Sequence, residues 1–373
     1  MPILGDRLDR PAYRILRSIH GGGVGEITLV SHELFKELCV QKTYDTLGRE
    51  DSVAYREPQA LRTIRHDHIV PIFDAQHDRD DKYAVTMVMP YYEGGSILDA
   101  LMEDYRFSLL HAADLGLQLL SALGHIHTKH RLLHRDAKPA NMFLSADRRL
   151  GYLGDFGSAG EMDASGRAEA VESTTLYRPP ETGPKIGFTV VPSDIYSAGM
   201  TLMEMVNGRF DYAALDPQIQ ELHRRLDKGL RPLPDRYFTE FAPHVPYGLR
   251  RVITRAIAKK PQDRWKTAGA MERALKKVAD EAVEWKHIEG NGLDGRWVGC
   301  WPPFAAERKQ RLYEITSRVG RYGRNLAARH AAVGSGHWSR FGIVDMKRLD
   351  RADGSAVHRL FEAVSEDAKA RRR

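Results

Sequence analysis

Cysteine is scarce in this chain, which has only Cys39 and Cys300 among its 373 residues. Two thiols can form neither a disulfide framework nor a four-thiolate zinc site, so the fold must rest on a hydrophobic core. No stretch approaches the roughly 18 consecutive apolar residues that a transmembrane helix needs, and the first residues lack the apolar segment of a signal peptide. We therefore expect a cytoplasmic protein with no membrane partner.

A large excess of one charge is also missing, because the net charge is +6. The positive charge is concentrated in residues 285–373, which hold 18 Lys and Arg against 10 Asp and Glu, whereas residues 1–284 carry a net charge of −2. This asymmetry predicts two functional units, and the overall positive charge is therefore no evidence that the chain as a whole binds nucleic acid.

The spacing of hydrophobic residues divides the chain into three parts. Residues 1–92 alternate short β-rich runs with one helical stretch from about Ser52 to Ile64, and residues 93–284 contain long amphipathic helical segments. Residues 285–373 begin with a Gly- and Trp-rich segment. Two basic stretches come after it, and we expect both to be helical. The pattern predicts an α+β fold with a small basic C-terminal domain.

Three features of the first part point to phosphate binding. A glycine cluster, IHGGGVGEITLV, lies between two β-rich runs, where backbone amides can approach phosphate oxygens, although a tight hairpin would have a similar composition. Lys42 ends the next β-rich run, and Glu57 lies in the helical stretch that follows. A partly buried lysine that holds an anionic ligand needs such a carboxylate, but either residue alone is more often a solvated surface charge.

The most specific motif is Leu133-His134-Arg135-Asp136-Ala137-Lys138-Pro139-Ala140-Asn141, which Asp155-Phe156-Gly157 follows fourteen residues later. In these motifs the sequence resembles the eukaryotic-type serine/threonine protein kinase family, in particular its bacterial members. The resemblance extends from about residue 10 to residue 284. It includes Ser173-Thr174-Thr175-Leu176-Tyr177-Arg178-Pro179-Pro180-Glu181, and it matches Arg264 to the arginine that pairs with Glu181 in the family.

The resemblance implies a two-lobed protein kinase fold, with a small lobe at 1–92 and a large lobe at 93–284. It implies Mg-ATP-dependent transfer of the γ-phosphoryl group to a serine or threonine hydroxyl of a protein substrate. The implied catalytic residues are Asp136, Lys138, Lys42 and Glu57, and the implied Mg²⁺ ligands are Asn141 and Asp155. The residues implied to contact ATP are Gly22, Gly23, Gly25, Ile27, Val40, Lys42, Met89, Pro90, Tyr92 and Phe143.

The resemblance also implies that Arg135 pairs with a phosphate on the activation loop and would otherwise be an unpaired cation. We expect autophosphorylation at Ser165 or Ser173, with Thr175 as a further candidate, unless loop carboxylates take the place of the phosphate.

Two other classes of function remain open. One is a small-molecule phosphotransferase, which the protein-substrate segment ending at Glu181 disfavours. The other is a kinase-like scaffold or nucleic-acid-binding protein that acts through its basic tail. Only His20, which replaces the first glycine of the family's glycine loop, favours this second class.

The tail itself resembles no family. Its arginines interleave with the aromatic residues Trp297, Trp301, Tyr313, Tyr322, Trp338 and Phe341. Stacking aromatics and cations would suit nucleic acid or another anionic partner. The alternatives are a small helical domain that packs Trp and Tyr inward with solvated arginines, and a basic tail that docks on the slightly acidic catalytic part.

Overall fold

The computed structural model describes residues 13–19, 26–45, 56–77, 84–171, 174–183, 187–291, 293–301, 310–320, 323–333, 335–340, 346–349 and 354–370. The glycine cluster, with Gly22, Gly23 and Gly25, lies outside these ranges, as does Ser173. Within them, no helix is long and apolar enough to span a membrane.

The first part of the chain forms a five-stranded antiparallel sheet with the order β1-β2-β3-β5-β4. Its strands are β1 (Tyr13–Ile19), β2 (Glu26–His32), β3 (Leu38–Asp45), β4 (Asp74–His77) and β5 (Ala84–Pro90). Helix α1 (Arg56–Thr63) lies between β3 and β4 in sequence. The register sets Lys42 of β3 between Ile27 of β2 and Met87 of β5, so the lysine lies on the central strand of the sheet.

The second part is mainly helical, as the sequence predicted. Its helices are α2 (Ile97–Met102), α3 (Leu109–Lys129), α4 (Val191–Asn207), α5 (Tyr212–Leu215), α6 (Ile219–Asp227), α7 (Arg236–Thr239), α8 (Tyr247–Ala256) and α9 (Ala268–Glu281). Three short strand pairs lie between α3 and α4: β6 (Leu132–Leu133) with β9 (Gly160–Glu161), β7 (Met142–Leu144) with β8 (Gly151–Leu153), and β10 (Arg167–Glu169) with β11 (Phe188–Val190).

Helix α4 is the centre of the helical core, because its residues are buried from Ser193 to Val206. Gly199 allows α8 to approach it closely. A Cβ at this position would lie 2.7 Å from the Cβ of Ala256 and 2.9 Å from the Cγ2 of Ile257, so a larger residue would push the helices apart. The first turn of α4 is thereby fixed in the core, where it faces the loop that carries the main sequence motif.

The C-terminal part is a second antiparallel sheet with one helix, and the prediction of a helical domain is wrong. The strands are β12 (Glu284–Asn291), β13 (Asp294–Trp301), β14 (Arg311–Gly320), β15 (Gly323–Ala332), β16 (Ser339–Arg340) and β17 (Met346–Leu349), and the helix is α10 (Gly354–Ala370). The Ala- and Arg-rich composition of β15 favours a helix. Its burial nevertheless alternates with a period of two, with Leu326 and Ala328 buried and Ala327 and Arg329 exposed, as a half-buried strand requires.

The aromatic residues of this sheet pack against α10 in a hydrophobic cluster separate from that of the helical part. The cluster includes Trp285, Trp297, Trp301, Tyr313 and Phe361. The inward packing predicted for Trp and Tyr is thus confirmed, although the element is a sheet. These rings are unavailable for stacking on nucleic-acid bases.

The C-terminal sheet lies against the helical part near the first residues of α3 and α8. Ser108, the N-cap of α3, donates a hydrogen bond to Glu284 Oε1 at 3.0 Å, and the backbone N–H of Tyr247 donates to Glu362 Oε1 at 2.9 Å. In these two hydrogen bonds the carboxylates belong to β12 and α10, which is the reverse of the predicted docking of a basic tail on an acidic catalytic part.

Histidines complete this interface. Arg106 contacts the ring of His287, Arg250 contacts the ring of His358, and His244 lies beside Phe361. Burial, reinforced by nearby positive charge, lowers the pKa of all three histidines, and that of His244 to about 3. The interface therefore requires neutral histidines.

We predict that acid destabilises the protein through His244. Below the unfolded-state pKa of about 6.5, the unfolded chain binds a proton that folded His244 rejects, so the free energy of unfolding falls by about 1.4 kcal/mol per pH unit from this group. Urea denaturation between pH 7 and pH 5 measures the effect. His244→Gln should show a smaller pH dependence, whereas His337→Gln, at an exposed histidine, should match wild type. Equal dependence in wild type and His244→Gln would contradict the assignment.

Candidate active site

Lys42 connects three separate elements of the fold. Its Nζ lies 2.9 Å and 3.1 Å from the two carboxylate oxygens of Glu57 on α1, and 2.9 Å from Asp155 Oδ1. Burial lowers the pKa of Lys42, but the two carboxylates outweigh this effect and raise the pKa above its ordinary value. The lysine therefore stays charged while it links the sheet to the helical part of the chain.

Asp155 has an unusual backbone conformation. Its φ of 58° and ψ of 71° lie in the left-handed region, which costs a residue other than glycine about 1–3 kcal/mol and is found mostly at functional sites. Burial would raise the pKa of its carboxyl, but Lys42 holds that pKa below the ordinary value. The conformation directs one carboxylate oxygen to Lys42, and the side chain remains 42% exposed.

Asp194, in the first turn of α4, holds the loop that contains the main motif. Its Oδ1 accepts the backbone N–H of Arg135 at 2.7 Å, and its Oδ2 accepts that of His134 at 2.8 Å and lies 2.8 Å from His127 Nε2. Burial would raise the pKa of Asp194, but these hydrogen bonds and the histidines lower it. Sequence reasoning assigned no role to Asp194. An acidic residue at the start of a helical pattern was the available signal.

Asp136 is surrounded by polar groups from the same loop and from residue 174. Lys138 Nζ lies 2.7 Å from Asp136 Oδ2, and Asn141 Nδ2 donates to the same oxygen at 3.1 Å. Lys138 also donates to Thr174 Oγ1 at 2.5 Å. The loop thus holds an ammonium group and a carboxamide within hydrogen-bonding distance of the same carboxylate oxygen.

Two oxygen atoms beside this group are suited to a divalent cation. Asn141 uses its Nδ2 for Asp136, and Asp155 uses its Oδ1 for Lys42. The remaining Asn141 Oδ1 and Asp155 Oδ2 make no hydrogen bond to the described residues, and both are hard oxygen ligands of the kind that Mg²⁺ prefers. No group of three or more His, Cys, Asp or Glu able to hold a metal occurs in the described ranges. The donor set fits Mg²⁺, which keeps waters and also binds substrate phosphates.

The described residues that are predicted to contact adenine come from four strands and one loop. They are Ile27 on β2, Val40 on β3, Met89 and Pro90 on β5, Tyr92 just after β5, and Phe143 on β7. Val40 pairs in register with Met89, one residue before Pro90 at the end of β5. The ring of Tyr92 is stacked between those of Phe143 and Tyr152, with centroid distances of 5.9 Å and 4.5 Å. Tyr152 was not predicted from the sequence, because nothing local indicates that β8 packs behind Tyr92.

Comparison with known proteins agrees with this geometry. Residues 13–276 match the family model of the protein kinase domain. The chain belongs to the protein kinase family. The predicted α+β fold is confirmed, since the five-stranded sheet with α1 and the helical part are the two lobes of a kinase. The match ends before the C-terminal sheet begins.

The relatives include bacterial and plant kinases. A probable serine/threonine-protein kinase of Corynebacterium efficiens is 29% identical over 280 residues, and serine/threonine-protein kinase PrkC of Bacillus subtilis is 26% identical over 287 residues. These alignments cover 73% and 74% of this chain but 42% of each relative. Serine/threonine-protein kinase Nek3 of Oryza sativa subsp. japonica is 31% identical over 245 residues, which cover 64% of this chain and 41% of the rice protein. The chain thus spans less than half the length of these relatives.

The arginine before Asp136 forms hydrogen bonds with the activation segment of the kinase domain. The guanidinium of Arg135 donates to the carbonyl oxygens of Ser158, of Ala159 at 2.7 Å and of Glu169 at 2.5 Å. Arg135 therefore has hydrogen-bond partners in the activation segment, and its pairing with a phosphate or a carboxylate of the loop stays a prediction. Gly160 permits this packing, because a Cβ there would lie 2.5 Å from Arg135 Cζ. No local sequence pattern indicates these contacts, because they join the catalytic loop to distant residues of the activation segment.

The predicted phosphorylation sites differ in accessibility. Thr175 is 7% exposed, and its hydroxyl lies 2.5 Å from His223 Nε2 on α6, so it is a poor acceptor. Ser165 is exposed, and its hydroxyl donates to Asp163 Oδ1 at 2.7 Å. Phosphorylation at Ser165 stays a prediction.

The predicted ion pair between Glu181 and Arg264 is confirmed. Arg264 Nη1 and Nη2 lie 2.6 Å and 2.7 Å from the two carboxylate oxygens, and the arginine is fully buried. Its guanidinium also lies 4.8 Å from the ring centroid of Tyr196, and Ser193 donates to Glu181. The pair thus joins the end of the activation segment to α4 and to the loop before α9.

We predict that Arg264→Met destabilises the kinase domain by about 3–5 kcal/mol, because it leaves the buried Glu181 carboxylate without its cation. Urea denaturation measures the loss. The matched control is Arg224→Met, which removes an exposed ion pair with Glu221 and should cost less than about 1 kcal/mol. The double variant Arg264→Met/Glu181→Gln should recover part of the loss. Equal small losses for both arginines would contradict the prediction.

Proposed function

We propose that this chain is a Mg-ATP-dependent serine/threonine protein kinase. The observation that carries the proposal is the connected set in which Lys42 joins Glu57 to Asp155 while Asp136 contacts both Lys138 and Asn141. The names of the bacterial and plant relatives support the serine/threonine subclass. The activity, the protein substrate and a cytoplasmic location are proposals, because the chain spans only part of each relative.

Asp136 is the group that positions the acceptor. A substrate hydroxyl donates its hydrogen bond to this carboxylate and transfers its proton there as the new oxygen–phosphorus bond forms. The bond between the γ-phosphorus and its bridging oxygen breaks, and ADP leaves with that oxygen. Most of the rate enhancement comes from positioning and charge neutralisation.

The two lysines act at different places. Lys42, fixed by Glu57, orients the α- and β-phosphates of ATP. Lys138, which contacts both Asp136 and Thr174, stabilises negative charge on the phosphoryl group during its transfer. Asn141 and Asp155 hold Mg²⁺ through their free oxygens, and the ion neutralises phosphate charge when bound.

The adenine site is formed by residues on both sides of the segment after β5. Ile27 and Val40 cover one face of the base, Phe143 covers the other, and Met89 limits the depth of the pocket. The carbonyl oxygen of Pro90 accepts a hydrogen bond from adenine, and the backbone N–H of Tyr92 donates one to it. Proline can fill the first role because it lacks only the backbone N–H and keeps its carbonyl. Gly22, Gly23 and Gly25 provide backbone amides for the phosphates.

We further propose that residues 1–92 and 93–284 are the two lobes and that residues 285–373 are an accessory domain. The separate hydrophobic cluster of the C-terminal sheet supports the last boundary, since a domain has its own core. A purely scaffolding role has less support, because all of the implied charged and metal-binding residues are present. A small-molecule phosphotransferase is disfavoured by the Glu181–Arg264 pair, which anchors a segment that binds protein substrates in the kinase family.

We expect Asp136→Asn to reduce phosphoryl transfer by about a hundredfold or more, because the acceptor loses its base. Transfer from γ-³²P-labelled ATP to a generic basic protein substrate measures activity, and phosphoamino-acid analysis identifies the acceptor. Asp147→Asn, at an exposed aspartate in the turn after β7, is the matched control and should retain activity. Label on tyrosine alone, or full activity in Asp136→Asn, would contradict the proposal.

We also expect removal of divalent cations by a chelator to abolish transfer, and excess Mg²⁺ to restore it. Asp155→Asn should need more Mg²⁺ for half-maximal rate, because it replaces a charged ligand by a neutral one. A Mg²⁺ titration of the initial rate measures this. Chelator-resistant transfer, or an unchanged Mg²⁺ requirement in Asp155→Asn, would argue against these ligands.

A further inference from the structure

The outer face of the C-terminal sheet carries a buried carboxylate between two arginines. Trp297 and Tyr313 pack against α10, so their neighbours Arg296 and Glu314 lie on the opposite face of the sheet. Glu314 of β14 pairs in register with Arg329 of β15, which places both on this outer face. This part of the outer face is therefore charged.

Glu314 accepts one hydrogen bond from the Nε atom of each arginine. Its Oε1 accepts from Arg329 Nε at 2.6 Å, and its Oε2 accepts from Arg296 Nε at 2.9 Å. Glu314 is 4% exposed, whereas the side chains of Arg296 and Arg329 are 38% and 46% exposed. Burial would raise the pKa of Glu314, but the two arginines lower it. The carboxylate is thus covered by guanidinium groups that remain open to solvent.

The Nη groups of both arginines are available to a ligand. Neither guanidinium makes a further hydrogen bond or ion pair with the described residues, and that of Arg329 also lies 4.8 Å from the ring centroid of Trp338. The remaining N–H groups of the two arginines can donate charge-assisted hydrogen bonds to phosphate oxygens. Because Glu314 and Trp338 already fix the arginines, binding costs little further ordering of their side chains.

We propose that Arg296 and Arg329, positioned by Glu314, bind the phosphate monoester of a phosphorylated serine or threonine in a protein segment. This inference rests on the proposed function, since the catalytic part would generate that group. Two arginines and one carboxylate have a net charge of +1, which complements a phosphate dianion. The side chains of both arginines are partly exposed, so a phosphate group can reach them from solvent.

A nucleic-acid ligand fits this face less well. Binding of single strands depends on a groove that follows many phosphates and on aromatic rings that stack on bases. Trp285, Trp297, Trp301 and Tyr313 are buried against α10, and Trp338 is engaged by Arg329. The arrangement offers one pair of guanidinium groups and therefore suits a single phosphate.

The test uses the full-length protein and synthetic peptides, so it does not depend on catalysis. The probes are fluorescein-labelled peptide libraries with a fixed phosphoserine or phosphothreonine in mixed flanking sequence, and the same libraries without phosphate. Fluorescence anisotropy should detect binding of the phosphorylated libraries only. Arg296→Gln and Arg329→Gln should each weaken binding by about tenfold, the loss of one charged hydrogen bond. Arg318→Gln, at an exposed arginine on β14, should have little effect.

Glu314→Gln distinguishes a positioned pair from general attraction of positive charge. If Glu314 positions the arginines, this variant weakens binding although it makes the face more positive. If the attraction is only electrostatic, the same variant tightens binding, and that result would overturn the proposal. Melting temperatures of all variants show whether each remains folded. If Glu314→Gln does not fold, the loss of phosphopeptide binding in Arg296→Gln and Arg329→Gln is the deciding measurement.

Three other outcomes would also overturn the inference. They are equal binding of phosphorylated and unphosphorylated libraries, equal affinity for inorganic phosphate and phosphopeptide, and tighter binding of a single-stranded RNA of mixed sequence. Phosphopeptide binding by a chain that transfers no phosphate would support this site while the proposed kinase activity fails. Phosphoryl transfer without phosphopeptide binding would show the reverse.

Discussion

The buried carboxylate of Asp194 is the contact on which the catalytic loop depends. A fully buried carboxylate is costly unless hydrogen bonds satisfy its oxygens, and here two backbone N–H groups and His127 do so. The same bonds hold Arg135 at a φ of 67°, a conformation that a non-glycine residue adopts only under constraint. Because Asp194 belongs to α4, and α8 packs closely at Gly199, the loop is fixed to the densest part of the core.

Lys42 performs the corresponding task between the lobes. It reaches Glu57 and Asp155 together, so the position of α1 and the left-handed turn at Asp155 are coupled through one ammonium group. Protein kinases need this lysine–glutamate pair in place for catalysis. The activation segment is ordered at the same time, because Arg135 binds its carbonyl groups and β10 pairs with β11. The structure thus combines the paired lysine with an ordered segment.

The sequence predicted the catalytic part better than the tail for physical reasons. The motifs around Asp136 and Asp155 are local strings, and the Glu181–Arg264 pair followed from their resemblance to a family. Contacts such as Arg135 to Glu169, or Thr175 to His223, join residues that are distant in sequence, so no local pattern reveals them. In β15, Ala and Arg favoured a helix by composition, and the alternation of buried Leu326 and Ala328 decided for a strand. Composition is a weak guide wherever tertiary packing opposes it.

The contacts of the C-terminal domain depend on where its charged residues lie rather than on its net charge. Where this domain meets the kinase domain, the described residues form hydrogen bonds to Glu284 and Glu362 and contacts with neutral histidines, and no salt bridge between described residues crosses the interface. These contacts place the carboxylates of Glu284 and Glu362 and the guanidinium groups of Arg106 and Arg250 against uncharged partners. Docking of this kind therefore leaves Arg296 and Arg329 unused. They lie on the face of the sheet that is turned away from α10, where Glu314 compensates one of the two charges and the other remains for a partner.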